Sequence, residues 1–345
     1  MGGGLLAACT QPQAPAAPAP TQPAVPTPQP VPTVPAQAQA PVVAAPKSIS
    51  IRFNWTYKGE FTPFFVAQEK GFYRDAGLQV ELGEGKSGTQ AMQVVAAGND
   101  QFGYVPSVQV VQGITQGMPV KSIATLGKTT GMCWAAWPDI PLDGAKSLEG
   151  HKVSISTAST FFQVWDAFAR KFGVDESKVD AVNVDPSARV GLFLSRQVDI
   201  MADIFTANDL VIVQNRAPEQ LNVLKVADLN FDPLGYMLVA NQSVINSDSG
   251  LVKAFVSATL KGFSAMLDNP ADATAIMVRL YGDRLGADVL DGQIKNLIPM
   301  VVSQPVLGRV DAAAWQQTLQ LLQDAGVIDK PLPLETYMTN DFVSG

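Results

Sequence analysis

Trp55, Tyr57, Glu60 and Phe61 crowd three aromatic rings and one carboxyl into a short stretch of chain. Such rings stack on a flat heterocycle, each pair adding about 0.5–1.5 kcal/mol beyond the area it buries, although Trp55 and Phe61 could equally fill a core. A second cluster, Gly83-Glu84-Gly85-Lys86-Ser87-Gly88-Thr89, offers the hydroxyls of Ser87 and Thr89 and a set of backbone amides to ring carbonyls, hydroxyls or an anion. It is not a Walker phosphate loop, which needs a glycine where Val80 stands. A helix cap with a solvated lysine explains it equally well. Ser107 follows Tyr104-Val105-Pro106 and suits a helix cap, a ligand donor or both. The run from Ser156 to Phe162 brings hydroxyls and two rings together, with Thr160 and Phe161 expected at a ligand. Asp185 and Asp203 could accept from a ligand N–H or a sugar hydroxyl, or be ordinary solvated or capping carboxylates. Trp134 and Trp137 bracket Cys133, and their spacing leaves open which indole faces a ligand and which packs away.

These residues read as a binding surface with no catalytic or metal centre. The single histidine, His151, has no His-Glu-x-x-His, nucleophile elbow or Cys/His cluster around it. Cys133 has no disulfide mate and is expected to be a small buried apolar residue. No cofactor is expected.

Most of these positions fall just after short β-branched runs. Strands are predicted over 48–55, 78–82, 101–104, 120–126, 151–156, 181–184, 199–202, 221–226 and 235–240. Helices are predicted over 63–75, 88–97, 108–116, 160–172 and 188–195, then 250–267, 270–281, 287–302 and 312–325. Thr62 followed by Pro63 reads as an N-cap and a first-turn proline. Alternation on this scale implies βαβ units and parallel-rich sheets, and the helical tail needs a sheet to cover. The expectation is an α/β fold of two lobes. Residues 47–127 and 235–345 form lobe I and residues 128–234 form lobe II, with the ligand cleft at the strand carboxyl ends between them.

The chain has 345 residues and net charge −7, and a charge of that sign argues against nucleic acid as a partner. Twelve of the 25 prolines lie between Pro12 and Pro46, and no charged residue precedes Lys47. Residues 10–46 therefore read as a disordered tether that cannot pack a core. No run of eighteen apolar residues follows Lys47. Leu6-Ala7-Ala8-Cys9 resembles the lipobox of bacterial lipoproteins, which implies that residues 1–9 are a signal remnant and that Cys9 carries lipid. An exported monomer held by that lipid on the outer face of the cell membrane is expected.

Asn54-Trp55, the run from Phe64 to Tyr73 and the segment Ala76-Gly77-Leu78-Gln79-Val80 resemble the opening of substrate-binding proteins in the NMT1/THI5-like group. The runs Ala96 to Gly103 and Leu148 to Val153 also resemble it, and the likeness spans Lys47 to Gly345. It implies a periplasmic-binding-protein fold that captures a small aromatic ligand for the permease of an ABC importer. The group's ligands include thiamine-precursor pyrimidines, riboflavin, sulfonates and nitrate. In its pyrimidine-binding members a histidine stands where this chain has Phe61. Phe61 exchanges a hydrogen bond for stacking surface, so riboflavin is expected ahead of a thiamine-precursor pyrimidine. A sulfonate or nitrate would favour a more basic, small-residue cleft. Some relatives are pyrimidine synthases that use a cysteine-rich motif, which this chain lacks.

Overall fold

Strand β1 (Lys47–Phe53) buries Ile49, Ile51 and Phe53 on alternate positions and turns Ser48, Ser50 and Arg52 outward. That is the period-two pattern of a strand with one face on a core. Residues 15–18, 45–303 and 305–344 are described by this computed structural model, and Ala44–Gly345 forms one unit within it. Cys9 and almost all of 10–46 lie outside the described residues.

After β1 come helices α1 (Thr62–Glu69) and α2 (Phe72–Asp75), β2 (Leu78–Gly83), α3 (Gly88–Ala96), β3 (Phe102–Pro106), α4 (Ser107–Thr115) and β4 (Val120–Thr125). The single helix expected over 63–75 is broken because Gly71 takes a left-handed φ of 75°. Thr62 is the first residue of α1, and no side chain caps that helix.

The chain then crosses to β5 (Met132–Ala136), β6 (Lys152–Ser154), α5 (Thr160–Phe172), β7 (Asp180–Val182), α6 (Arg189–Leu194), β8 (Ile200–Phe205), α7 (Asp209–Arg216) and β9 (Asn222–Lys225). It returns through β10 (Tyr236–Asn241) to α8 (Gln242–Ser247), α9 (Ser249–Asp268), α10 (Pro270–Leu285), α11 (Ala287–Leu297), α12 (Ala312–Asp324) and α13 (Leu334–Tyr337).

Among the described residues two five-stranded sheets result, ordered β2-β1-β3-β10-β4 and β7-β6-β8-β5-β9. In the first, β1 runs parallel to β2 and β3 while β10 is antiparallel to both its neighbours. In the second, β6 runs parallel to β7 and β8 while β5 is antiparallel to β8 and β9. Each sheet thus has one reversed strand, and in each it is the strand by which the chain enters from the other sheet.

The two crossings run side by side. Gly127 N donates to Tyr236 O at 2.9 Å and Gly235 N to Gly127 O at 2.8 Å. A Cβ on Gly235 would sit 2.1 Å from Thr129 O, so only glycine permits this approach. Asp232 braces the pair, accepting from Thr129 Oγ1 at 2.7 Å and from Thr130 N at 3.2 Å.

Helices α9, α10 and α11 bury their apolar faces in the core of the first sheet. By length and composition α9 could cross a membrane, but Val252, Phe255, Val256, Phe263 and Met266 are buried against α1 and the sheet. α12 departs from the expected single covering layer. Trp315 Nε1 donates to Thr125 Oγ1 beside the first sheet, while Ala325 O, just past the helix, accepts from Arg170 on α5.

Candidate functional site

The loops after β1 and β8, the starts of α3, α5 and α6, and Tyr236 of β10 converge where the strand ends of the two sheets meet. They enclose an inner pocket of about 20 Å³, with Asn54, Trp55, Thr160, Arg189, Asp203, Asn208 and Tyr236 in its wall. That is the room of one or two water molecules. It lies behind a cavity of about 560 Å³ bounded by Trp55, Lys58, Lys86, Asp185, Asp209 and Arg216. A cavity of about 580 Å³ at the crossings, lined in part by Lys128, Asp232 and Thr318, is similar in size. Chemistry separates the two. Among the described residues, Asn54 Oδ1, Glu60 Oε1, Gln109 Oε1, Arg189 Nε and Asn208 Oδ1 are buried without hydrogen-bond partners, and all lie in the cleft or directly behind it. Unpartnered buried polar atoms are rare in folded proteins and call for an explanation.

A chain of buried ion pairs crosses the cleft. Lys58 Nζ lies 2.7 Å from Asp209 Oδ1. The other oxygen of Asp209 accepts from Arg189 Nη2, and Arg189 Nη1 reaches Asp203 Oδ2 at 3.1 Å. Asp203 also accepts from Ser156 N at 2.9 Å and Ser154 Oγ at 3.2 Å. Two cations thus meet two carboxylates, as burial of charge requires. Burial by itself raises the Asp209 carboxyl, but Arg189 and Lys58 outweigh it and bring it down to about 2. Burial likewise disfavours the Arg189 charge, and Asp209 and Asp203 more than reverse that, so the guanidinium is held above its ordinary range.

Glu60 occupies the helical turn Gly59–Phe61, which leads into α1. Its Oε2 accepts from Tyr236 OH and from Asn208 Nδ2, each at 3.4 Å. Asn54 Nδ2 donates in turn to Tyr236 OH at 3.3 Å. Burial pushes the Glu60 carboxyl up to about 7, and Asp209 adds to the effect while Lys58, Asn208 and Tyr236 oppose it. Gln293 of α11 ties the turn across the cleft, accepting from Gly59 N at 2.7 Å and donating to Asn208 O at 3.2 Å.

The residues singled out from sequence divide sharply. Trp55 is half-buried and borders both cavities, with Arg189 Cζ 5.9 Å and Lys58 Nζ 6.0 Å from its ring. Thr160 and Asp203 line the inner pocket, and Thr160 Oγ1 accepts from Gln109 across the cleft at 3.3 Å. Asp185 borders the outer cavity as an exposed turn residue whose carboxylate accepts from the amide and hydroxyl of Ser187.

Others lie elsewhere. Phe61 is fully buried and stacked on Phe53, with centroids 4.4 Å apart, so it belongs to the core and offers no stacking surface. Tyr57 turns away to pack on Phe65 and Tyr281 and donates to Leu82 O. Trp134 and Phe161 pack edge to face inside an apolar core that the second sheet shares with α4 and α12, and Trp137 stacks on Phe193 under Arg196, so neither indole walls the cleft. Ser87 caps α3 by accepting from Gln90 N at 3.1 Å, and Thr89 is exposed in the first turn of that helix. The Ser107 hydroxyl is engaged by Leu234 O on the returning crossing. Burial pushes the Cys133 thiol well above its ordinary range, which leaves no nucleophile there.

Asn54, Lys58, Gln109, Arg189, Asn208, Asp209 and Tyr236 were not anticipated. Asn208 and Asp209 follow β8 as Asp203 does within it, so the strand-end rule could have found them. Arg189 carries no such signal, because a first-turn arginine on a short helix normally lies in solvent.

Residues 58–273 match the family model described as NMT1/THI5 like. The riboflavin-binding protein RibY of Chloroflexus aurantiacus is 24% identical over 352 residues, covering 99% of this chain and 95% of that protein. The formylaminopyrimidine-binding protein of Halalkalibacterium halodurans is 18% identical over 84% of this chain and 88% of its own length. The periplasmic aliphatic sulphonate binding protein SsuA from Escherichia coli superimposes with a TM-score of 0.67 at 16% identity, covering 85% of this chain and 97% of that one. The fold is therefore that of the two-lobed periplasmic binding proteins.

Proposed function

The chain belongs to the NMT1/THI5-like family, and on that premise we propose that it is an extracytoplasmic solute-binding protein of an ABC importer that captures riboflavin. The observation that carries this reading is the gathering of unpartnered buried polar atoms around a pocket bordered by the half-buried indole of Trp55. A flat ring with polar edges satisfies both features at once: its face stacks on Trp55 and its edge takes the hydrogen bonds. Similarity to RibY over nearly the whole chain supports a flavin as the ring.

The proposed lobes are residues 47–127 with 235–345 and residues 128–234, hinged at the two crossings so that the cleft closes on its guest. Cys9 carries the lipid, residues 10–46 link it to the body, and the protein works as a monomer at the outer face of the membrane beside its permease. No bond of the ligand is made or broken. A sulfonate or nitrate suits the cleft poorly, because the buried cations Lys58 and Arg189 are already matched by Asp209 and Asp203.

A thiamine-precursor pyrimidine is the second reading. The small inner pocket favours it, since a single ring enters with less opening of the cleft, and so does similarity to a formylaminopyrimidine-binding protein. Titrating the full chain with riboflavin and following flavin fluorescence separates the two. Saturable quenching at micromolar ligand is expected, and its absence beside heat from a pyrimidine titration transfers the assignment.

A further inference from the structure

Glu60 does not itself line the inner pocket; it lies one hydrogen bond behind it. Its Oε2 takes the only proton of Tyr236 OH and a proton of Asn208 Nδ2. Tyr236 OH, having donated, accepts from Asn54 Nδ2. Both asparagine NH₂ groups are thereby drawn into the Glu60 network, and both Oδ1 atoms, buried and without partners among the described residues, are left as acceptors for a guest, beside the unpartnered Arg189 Nε–H as donor. Asn54, Asn208 and Glu60 are each more than nine-tenths buried, so water does not readily supply the missing donors.

We infer that Glu60 is a positioning residue that, as a carboxylate, orients the Asn54 and Asn208 amides so that the wall presents two acceptors and selects a ring whose leading edge carries an N–H donor. This rests on the ring-capture reading above and narrows its ligand class to imides, ureides and aminopyrimidines. A protonated Glu60 can donate one hydrogen bond of its own, to Asn208 directly or to Tyr236 and through it Asn54, which releases the amide on that side and lets it turn its NH₂ toward the guest. The charged or titratable groups around it are Lys58 on its own turn, Tyr104 of β3, Tyr236 of β10 and Asp209 of α7, the last already paired with Arg189. Burial places the Glu60 titration near neutral pH, within the range where such a change of wall polarity is measurable.

The test compares riboflavin with 3-methylriboflavin, and the aminopyrimidine with its N-methylated form, on the full chain and on Glu60→Gln. At pH 8 the wild type is expected to prefer the N–H form at least tenfold, to lose much of that preference by pH 6, and to show no such pH dependence in Glu60→Gln. A vitamin that binds equally well with and without its N–H at pH 8 overturns the inference and leaves the capture reading standing. If no vitamin binds, that reading falls, and the side-chain amide signals of Asn54 and Asn208 in the unliganded protein then decide the positioning role. Joint movement of both signals between pH 6 and 8, abolished by Glu60→Gln, supports it, and pH-independent signals overturn it.

Discussion

Trp55 and Phe61 stand close in the chain and have opposite fates, and their substitutions separate binding from stability. Trp55 is half-buried at the cleft, so Trp55→Ala is expected to weaken vitamin binding by about 1–3 kcal/mol with little change in melting temperature. Phe61 is fully buried on Phe53 and Tyr104, so Phe61→Ala is expected to cost about 3–5 kcal/mol of stability. Calorimetry and thermal unfolding of both variants check the pair, and an unchanged affinity with a lowered melting point for Trp55→Ala returns that indole to the core. Glu60 adds a pH term. Its folded-state pKa is raised from 4.5 to about 7, so the folded protein holds this proton more tightly than the unfolded chain does. The stability linked to it is complete below pH 4.5 and is lost as pH rises through 7, by up to about 3 kcal/mol. Glu60→Gln removes that loss, so its stability relative to wild type should improve between pH 5 and pH 8 in denaturant titrations. A constant difference across that range contradicts the linkage.

Among the elements, the crossings and the short helices flanking the cleft carry the most specific constraints. Gly235 approaches Thr129 O so closely that an added methyl must push the two crossings apart. Gly235→Ala is therefore expected to destabilise by at least 1–3 kcal/mol, as overpacking does. A melting temperature equal to wild type would show that the crossings tolerate separation. Helix α6 places Arg189 between Asp203 and Asp209, and the Arg189→Met variant leaves Asp203 without a cation and Asp209 with Lys58 alone. A loss of about 3–5 kcal/mol is expected, largely recovered when Asp203→Asn accompanies it, since Lys58 still matches Asp209. Chemical denaturation of the single and double variants measures both numbers, and a double variant as unstable as the single one contradicts the pairing.

For the whole molecule, the ion chain, the Gln293 clasp and the Gln109–Thr160 bond are polar ties across the cleft, while Phe205 packs on Tyr236 and α4 and α5 share one apolar cluster beside them. Polar ties exchange with water at low cost, whereas separating the shared apolar cluster would expose its surface. The proposed attachment through Cys9 belongs to the same scale. Cys9→Ala is expected to move the protein from the membrane fraction to the soluble fraction of cells expressing it, without altering vitamin affinity in the purified chain. Recovery of the variant in the membrane fraction removes the lipid anchor from the account.

Sequence alone determined the alternation of strands and helices, the two-crossing layout and the family likeness, because period-two and period-3.6 burial and strand-end loops are written locally along the chain. Of the residues it singled out, Trp55, Thr160, Asp185 and Asp203 border the cleft. It could not separate Trp55 from Phe61, or Asp203 from an ordinary surface carboxylate. Those identities depend on which distant residue packs opposite: Phe53 and Tyr104 over the Phe61 ring, Arg189 over Asp203. Tertiary structure alone decided the Glu60 network, whose members Asn54, Asn208 and Tyr236 come from three separated segments. Whether a polar atom is satisfied depends on neighbours that only folding brings within hydrogen-bond reach.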